Sequence, residues 1–354
     1  MTDLDVAVHR APPADFVAFA GGLRFGAGKA RYRRANLAGQ LARFADPRYL
    51  VAREGGRAVG TYAIDFRTVA HRGRAVPGAY RALLGVAPER RGAGVGRALR
   101  ERAHALLERR AERLGEPVLS WGCIDASNAA SLGLVGAGGA HDVGGLATWL
   151  LYRQRPRETL ALETIDADAP HAVRLGHARA LEASRTDCAL ADATGGGPDV
   201  AGAPAGAGTT VHAVLEGERI ALAARVSVTE LAFDTLGPVN DALVRRLVMP
   251  FGFARRRFDP RAFRYLGLSD IVVVPDAERL WPRFVSTLAA RHGVHYALVA
   301  IDPSREVWTR LRRASGRRRR AGRDVRVLAR WHGPGTSAIA LPEGARVALP
   351  PVDL

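Results

Sequence analysis

The strongest chemical signal in the sequence is the run Arg91-Gly92-Ala93-Gly94-Val95-Gly96. Its glycines let a ligand approach the backbone without Cβ obstruction. If the run opens a helix, its first amides have no intrahelical acceptor, and the helix dipole adds partial positive charge. Such a loop is a site for an anion, and a pyrophosphate is the anion to expect. A second polar cluster, Asp125-Ala126-Ser127-Asn128, ends in an amide side chain able to cap a helix or bond a ligand. Groups that could move a proton near these motifs are Asp65, Tyr80, Ser131, His141, Cys123 and Tyr152, with His71 a weaker candidate.

The elements that must position these groups can be read from periodicity. Ala82, Leu84 and Val86 alternate as in a short buried strand closed by Pro88. From about Gly94 the pattern is helical, with Leu99, Ala103, Leu106, Leu107 and Leu114 on one side, until Gly115 and Pro117. Tyr49–Val69 reads as a hairpin about Gly55-Gly56, and Pro77-Gly78 reads as the turn before the central strand. Strands are expected over Val118–Ile124 and Gly145–Tyr152, with a short helix through Val135 between them. Weak helical patterns cover Asp15–Ala20 and Tyr32–Phe44. The fold class is α/β with a mixed sheet.

A chain of 354 residues is long for one core, and two domains are expected, 1–155 and 156–354. No apolar run approaches the roughly 20 residues that span a bilayer, and the N-terminus lacks a signal pattern, so a cytoplasmic protein without membrane contact is expected. Two cysteines, one in each half, argue against a disulfide framework and a cysteine metal site. Fifty-two basic residues against 35 acidic give a net charge of +17, which favours anionic partners. Clusters of exposed aromatics with arginine are few, so nucleic acid ranks below a small phosphate-rich ligand.

Residues from about Tyr49 to Tyr152 resemble the GNAT superfamily of acyl-CoA-dependent N-acyltransferases. That family's loop is Arg or Gln, two residues, Gly, one residue, then Gly or Ala, and Arg91 to Gly96 fits it behind Leu84-Gly85-Val86-Ala87-Pro88. A Rossmann loop would instead want an acidic ribose ligand beyond the helix. Asp125 lies there, but it leads into Ser127-Asn128-Ala129-Ala130, which matches the second GNAT motif. The resemblance implies acetyl-CoA, or another short acyl-CoA, as co-substrate, and no metal. Backbone at Leu84, Gly85 and Val86 would pair with the pantetheine arm. The amides of Arg91, Gly92, Ala93, Gly94, Val95, Gly96 and Arg97 would hold the pyrophosphate, with Asn128 and Ser131 near the pantetheine or sulfur. The acceptor would be a primary amine on a small molecule, peptide or protein, and the protein a monomer or homodimer.

Position 135, where many family members carry a tyrosine that protonates the leaving thiolate, is Val. Leu134 and Gly139 keep the family's register, and the phenylalanine expected after that glycine is Ala140. Another group could supply the proton (His141, Ser131, Cys123 or Tyr152 by sequence proximity), or water could, or the domain could bind acyl-CoA without turnover. Asp65 and Tyr80 are candidates for the base. Three functions therefore stand: an N-acetyltransferase, a non-catalytic acyl-CoA sensor or scaffold, and a transferase acting on a nucleic-acid-linked amine.

The second half repeats the first. His212–Ile220 echoes the hairpin at Val51–Val59, and Ile301-Asp302-Pro303-Ser304-Arg305 echoes Ile124–Asn128 in a register that also carries Leu134 onto Leu311 and Gly139 onto Gly316. The glycine loop is replaced by Val274–Leu280, with two carboxylates and no glycine, and Arg305 replaces Asn128. This half is expected to be a degenerate GNAT-like domain. An amphipathic helix is expected over His171–Ala183, a Gly/Ala/Pro-rich loop near 189–208, and a solvated turn at Arg317–Arg320. Trp281, Tyr265, Tyr296 and Trp308 are possible walls of an acceptor pocket.

Overall fold

The computed structural model describes the chain outside residues 1–3, 27–29, 154–158, 167, most of 171–189, 193–208, 218, 253–256, 317–318 and most of 337–354. In chain order the first half gives β1 (Leu4–His9), α1 (Ala14–Gly22), β2 (Arg31–Arg34), α2 (Leu37–Leu41), β3 (Asp46–Glu54), β4 (Arg57–His71), β5 (Arg74–Val86), α3 (Val95–Leu114), β6 (Val118–Asp125), α4 (Ala129–Gly136) and β7 (His141–Tyr152). The second half gives β8 (Glu163–Ile165), β9 (Leu190–Asp192), β10 (Thr209–Glu216), β11 (Arg219–Thr235), α5 (Pro238–Leu243), β12 (Phe263–Val273), α6 (Trp281–Arg291), β13 (Tyr296–Ile301), α7 (Glu306–Ser315), β14 (Arg319–His332) and β15 (Val347–Ala348).

One mixed sheet runs through both halves in the order β1-β3-β4-β5-β6-β14-β7-β13-β12-β11-β10-β8. Most neighbours are antiparallel, while β5 with β6 and β12 with β13 are parallel. The halves interlock: β14 lies between β6 and β7, β13 pairs along its whole length with Ala147–Tyr152 of β7, and β2 pairs β11. A buried relay fastens β14 to the first half. The Ser120 hydroxyl donates to His332 Nε2 (2.8 Å), and His332 Nδ1–H donates to Glu108 of α3 (3.1 Å). Ser120 and His332 are both fully buried, which makes this arrangement a fastening rather than a nucleophile.

Helix α3 sits where its sequence predicts. Val95, Leu99, Ala103, Leu107 and Ala111 form one buried stripe, and Gly115 ends the helix at φ 69°. The stripe approaches β4 at Gly60, where a Cβ would meet Val95 and Leu99 at 2.9 Å.

Several local expectations change. Of the helical pattern expected over Tyr32–Phe44, Leu37–Leu41 is helix, but Tyr32–Arg34 belongs to strand β2, where Tyr32 packs against Phe233 (5.9 Å) across the pairing with β11. Pro77-Gly78 lies inside β5, and the turn is at Arg72-Gly73, with φ 51° and 75°. Gly78 is needed for packing, since a Cβ there would meet Trp121 and Val69 at 2.8 Å. Arg319 and Arg320 are not in a turn but begin β14, opposite Leu151 and Leu150. Of the expected helix over His171–Ala183, Val173, Arg174, Gly176 and His177 are described and helical, and the rest lies outside the described residues, as does most of the loop near 189–208; Leu190–Asp192 pairs with β4.

Candidate active site

Strands β5 and β6 pair only over Gly78–Tyr80 with Leu119–Trp121 and then part. The cause lies in β5. Leu83 takes φ 54°, and the register with β4 shifts so that Leu83 and Leu84 together face Tyr62. This is a bulge, which bends the strand that carries it. From Gly122 to Asp125, β6 pairs with β14 on its other side. The β5 edge over Ala82–Val86 is therefore left without a strand partner toward β6, open to an extended ligand that would add as a strand.

Beyond Val86 the chain turns through Pro88–Arg90 into the glycine run. Gly92 and Gly94 have φ of 80° and 85°, which an L side chain would strain to adopt. The amide of Arg91 donates to Pro88 and that of Ala93 to Arg90, both within the turn. Gly92, Gly94, Val95, Gly96 and Arg97 have no backbone acceptor among the described residues, and these five amides make a cradle at the start of α3 whose geometry suits an anion. Arg57, Arg90, Arg91 and Arg97 line the same cleft, and of these Arg57 pairs with Glu89, Arg90 with Glu54 and Arg97 with Glu101.

The cradle and the gap belong to one cleft of about 2050 Å³. Leu84, Gly85, Val86, the whole Arg91–Arg97 run, Asn128, Ser131, Tyr80 and Cys123 all line it, so the two motifs meet in space. The Asn128 side-chain oxygen accepts from the Ser131 amide (3.1 Å), capping α4. Its amide nitrogen donates in no recorded bond, so the cap and ligand roles are compatible. Tyr80 is nearly buried between Trp121 and the Arg67 guanidinium, which stands 5.4 Å from its ring centroid. The far wall comes from the second half, with Leu231, Phe233, Phe263, Tyr265 and Leu298 facing Tyr32 of β2.

Other candidates fall elsewhere. Asp65 is fully buried and does not line the cleft. It accepts from the amides of Ala45 (2.7 Å) and Asp46 (3.0 Å) and pairs with Arg67. Burial pushes its pKa up while Arg67 and the amides oppose the shift; such a carboxylate is structural and out of reach of a substrate amine. His141 is exposed at the start of β7, away from the lining residues, because the inserted β14 separates β7 from β6. Among the aromatic wall candidates, Tyr265 lines the cleft, whereas Trp281 is fully buried and Trp308 packs on Trp149 (4.2 Å). Tyr296 likewise packs with Phe263 (4.9 Å) and does not line it.

Two lining residues had no sequence signal as site residues. Tyr62 sits opposite the bulge, and Arg81 is the first residue after the last β5–β6 pair. The clue available was an arginine at an inward position of an otherwise apolar strand. Burial raises the Tyr62 pKa, partly offset by the Arg81 charge beside it. Among the described residues, no group of histidine, cysteine and carboxylate side chains is placed to hold a metal.

The sequence model of the acetyltransferase (GNAT) family matches residues 23–136, the segment that contains the cradle and the parted strands. This segment matches the GNAT family, and the chain as a whole shares the fold of tandem GNAT proteins. A tandem GNAT protein from the clavulanic acid biosynthesis pathway superposes with TM-score 0.55 at 16% identity, over 94% of this chain and 100% of that one. Saccharomyces cerevisiae N-myristoyltransferase with bound myristoyl-CoA superposes with TM-score 0.61 at 8% identity, over 93% of this chain and 83% of that one. A GCN5-related N-acetyltransferase from Anabaena variabilis does so with TM-score 0.50 at 13% identity, over 92% and 72%. At these identities the likeness is one of fold. No curated protein sequence gives a significant match.

Proposed function

We propose that this chain is an acyl-CoA-dependent N-acyltransferase that moves a short acyl group, acetyl in the first instance, from CoA to a primary amine. The observation that carries this reading is the continuity of one cleft from the five free amides at the start of α3, along the open β5 edge, to the aromatic wall of the second half. The pyrophosphate binds at the amides. The pantetheine arm bonds to Leu84–Val86 as an added strand, and its thioester ends near the bulge at Leu83. Backbone amides there stabilise the oxyanion formed on attack, an interaction commonly worth about 3 kcal/mol.

The lining carboxylates are Glu89, in the turn after β5, and Asp125, at the end of β6. The acceptor amine thus enters in its neutral form and gives its proton to water. It approaches between β2 and the second half, a division of labour that assigns CoA to 1–155 and much of the acceptor wall to 156–354. Calorimetric titration with CoA and thiol release with an amine panel test the reading. Gly94→Glu puts a carboxylate and a strained φ into the cradle and is expected to abolish CoA binding while leaving far-ultraviolet circular dichroism unchanged. Unchanged binding in that variant means that the pyrophosphate lies elsewhere.

Val135 favours a second reading, an acyl-CoA sensor without turnover. Tight CoA binding with no thiol release across the amine panel decides for it.

A further inference from the structure

The apex of the gap holds an unusual charge. Arg81 is 6% exposed and lines the cleft. Its Nη2 donates to the Leu328 carbonyl of β14 (3.2 Å), its Nε has no acceptor, and it is in no ion pair among the described residues. A buried guanidinium held by a carbonyl is poorly compensated, because removing the charge from water costs far more than one neutral hydrogen bond returns.

The groups packed around it do not repair the deficit. From α3 come Arg100, which donates to the Leu134 carbonyl, and His104, whose pKa burial and the neighbouring arginines lower to about 4. From β14 come Arg330, which donates to the Gly138 carbonyl, and His332, kept neutral by burial. Arg100 and Arg330 serve the C-terminal end of α4, where cations are favourable. Glu108 is engaged by His332 and the Gly333 amide. From β4 comes the Tyr62 phenol, also in the cleft. Arg81 is therefore a cation awaiting an anion at the apex.

An anion forms there during the proposed reaction. From Val86 back to Arg81 is five residues of strand, roughly 16 Å at the ordinary rise. A pantetheine arm laid along that edge from the cradle brings its sulfur toward Arg81, Tyr62 and the wall that includes Val135. We propose that Arg81 and Tyr62 perform the leaving-group chemistry that the residue at position 135 cannot, with Arg81 stabilising the CoA thiolate and Tyr62 protonating it.

The inference rests on the acyltransferase reading above. The neutral amine attacks the thioester carbonyl, a C–N bond forms, and the C–S bond breaks with its electron pair on sulfur. The Tyr62 O–H proton passes to that sulfur. The tyrosinate, next to Arg81, is reprotonated from water, and water takes the extra proton of the acylated nitrogen. The phenol is protonated at neutral pH, and the Arg81 charge beside it works against burial to favour release of its proton.

The test has one arm that needs no acceptor. The thiol of CoA bound to the full chain is titrated by its thiolate ultraviolet absorbance, in wild type and in Arg81→Met. A bound thiol more acidic in wild type than in Arg81→Met is expected, and an identical titration overturns the proposal. In the kinetic arm Tyr62→Phe, which removes one oxygen and keeps the ring, is expected to lower kcat by about 10²-fold without changing the dissociation constant for CoA. Adding Val135→Tyr to that variant should restore part of the rate. Wild-type kcat in Tyr62→Phe overturns the proposal. Failure of wild type to bind CoA at all overturns instead the acyltransferase reading.

Discussion

The molecule contains the same backbone event twice, and among the described residues the first instance lines the large cleft while side chains cover the second. In each half a parallel pair of strands holds together for three residues and then parts: Gly78–Tyr80 with Leu119–Trp121, and Leu266–Leu268 with Ala297–Val299. In each the departing strand carries a non-glycine residue at positive φ, Leu83 at 54° and Asp270 at 49°. These lie at the same offset as Pro88 and Pro275. Beyond that point the halves diverge. In the second, Arg310 of α7 donates to the Val273 carbonyl (3.3 Å) and the Val274 carbonyl (2.9 Å) and pairs with Glu278. Asp270 is taken by Arg225 (2.8 Å), and Trp308 packs on Trp149.

The positions of the first half that match Trp308 and Arg310 are Ser131 and Gly133, too small to reach across. The helix after the second parting is also short, 11 residues in α6 against 20 in α3. Its approach, Val274–Leu280, carries the carboxylates of Asp276 and Glu278 and no glycine. Parting of strands is thus a property of the backbone, and a ligand site follows only where the local side chains leave the new edge free.

The comparison can be broken by moving the seal. Ser131→Trp, which gives the first half the residue of the second, should weaken CoA binding by about a hundredfold, ~2.8 kcal/mol. Calorimetry measures this, and undiminished affinity would mean that α4 does not face the pantetheine. Arg310→Ala removes the seal from the second half. It should cost about 1–2 kcal/mol in a denaturant titration, since Glu278 and two carbonyls lose a partner in a partly exposed site. The stoichiometry should stay at one CoA per chain, because the loop still presents carboxylates to any phosphate; a second site appearing would show that Arg310 alone closed it.

The smallest effect concerns what the halves share. Each contributes to an edge-to-face histidine pair: His104 of the first packs on His332 of the second, and His212 on His292 within the second. Burial lowers all four pKa values, to about 4 for His104 and His212. A histidine whose folded pKa lies below its unfolded value near 6.5 takes up its proton first in the unfolded chain. Its contribution is therefore complete above about pH 6.5 and is lost as pH falls toward the folded value, at up to ~1.4 kcal/mol per pH unit for each histidine. Denaturant midpoints measured from pH 7.5 to 5 should decline below 6.5, and His332→Gln should flatten the decline.

Much of the first half was legible because its signals are local. The glycine run, the helix stripe through Leu99, Ala103 and Leu107 and the Asn128 cap each need only neighbouring residues to be recognised, and all three stand where the sequence puts them, while Leu114, expected on that stripe, is exposed. The absence of a tyrosine at 135 was equally plain. The misreadings came from long-range pairing. Tyr32 is in a strand because β11 is beside it, and Asp65 is buried because Ala45, Asp46 and Arg67 enclose it. An alternating strand pattern cannot say which inward polar residue meets a cavity and which meets a partner.

The sequence by itself determined the glycine run that opens α3, the repeat of the pattern in the second half and the loss of that run there, since each depends on residue type at short spacing. Only the tertiary structure decided that β14 enters the first half, that Arg310 seals the second gap, and that Arg81 and Tyr62 stand at the apex of the open one. Those outcomes depend on contacts such as Arg81 with Leu328, 247 residues apart. Folding brings such residues together through sheet order, and no local pattern of residue types encodes the meeting.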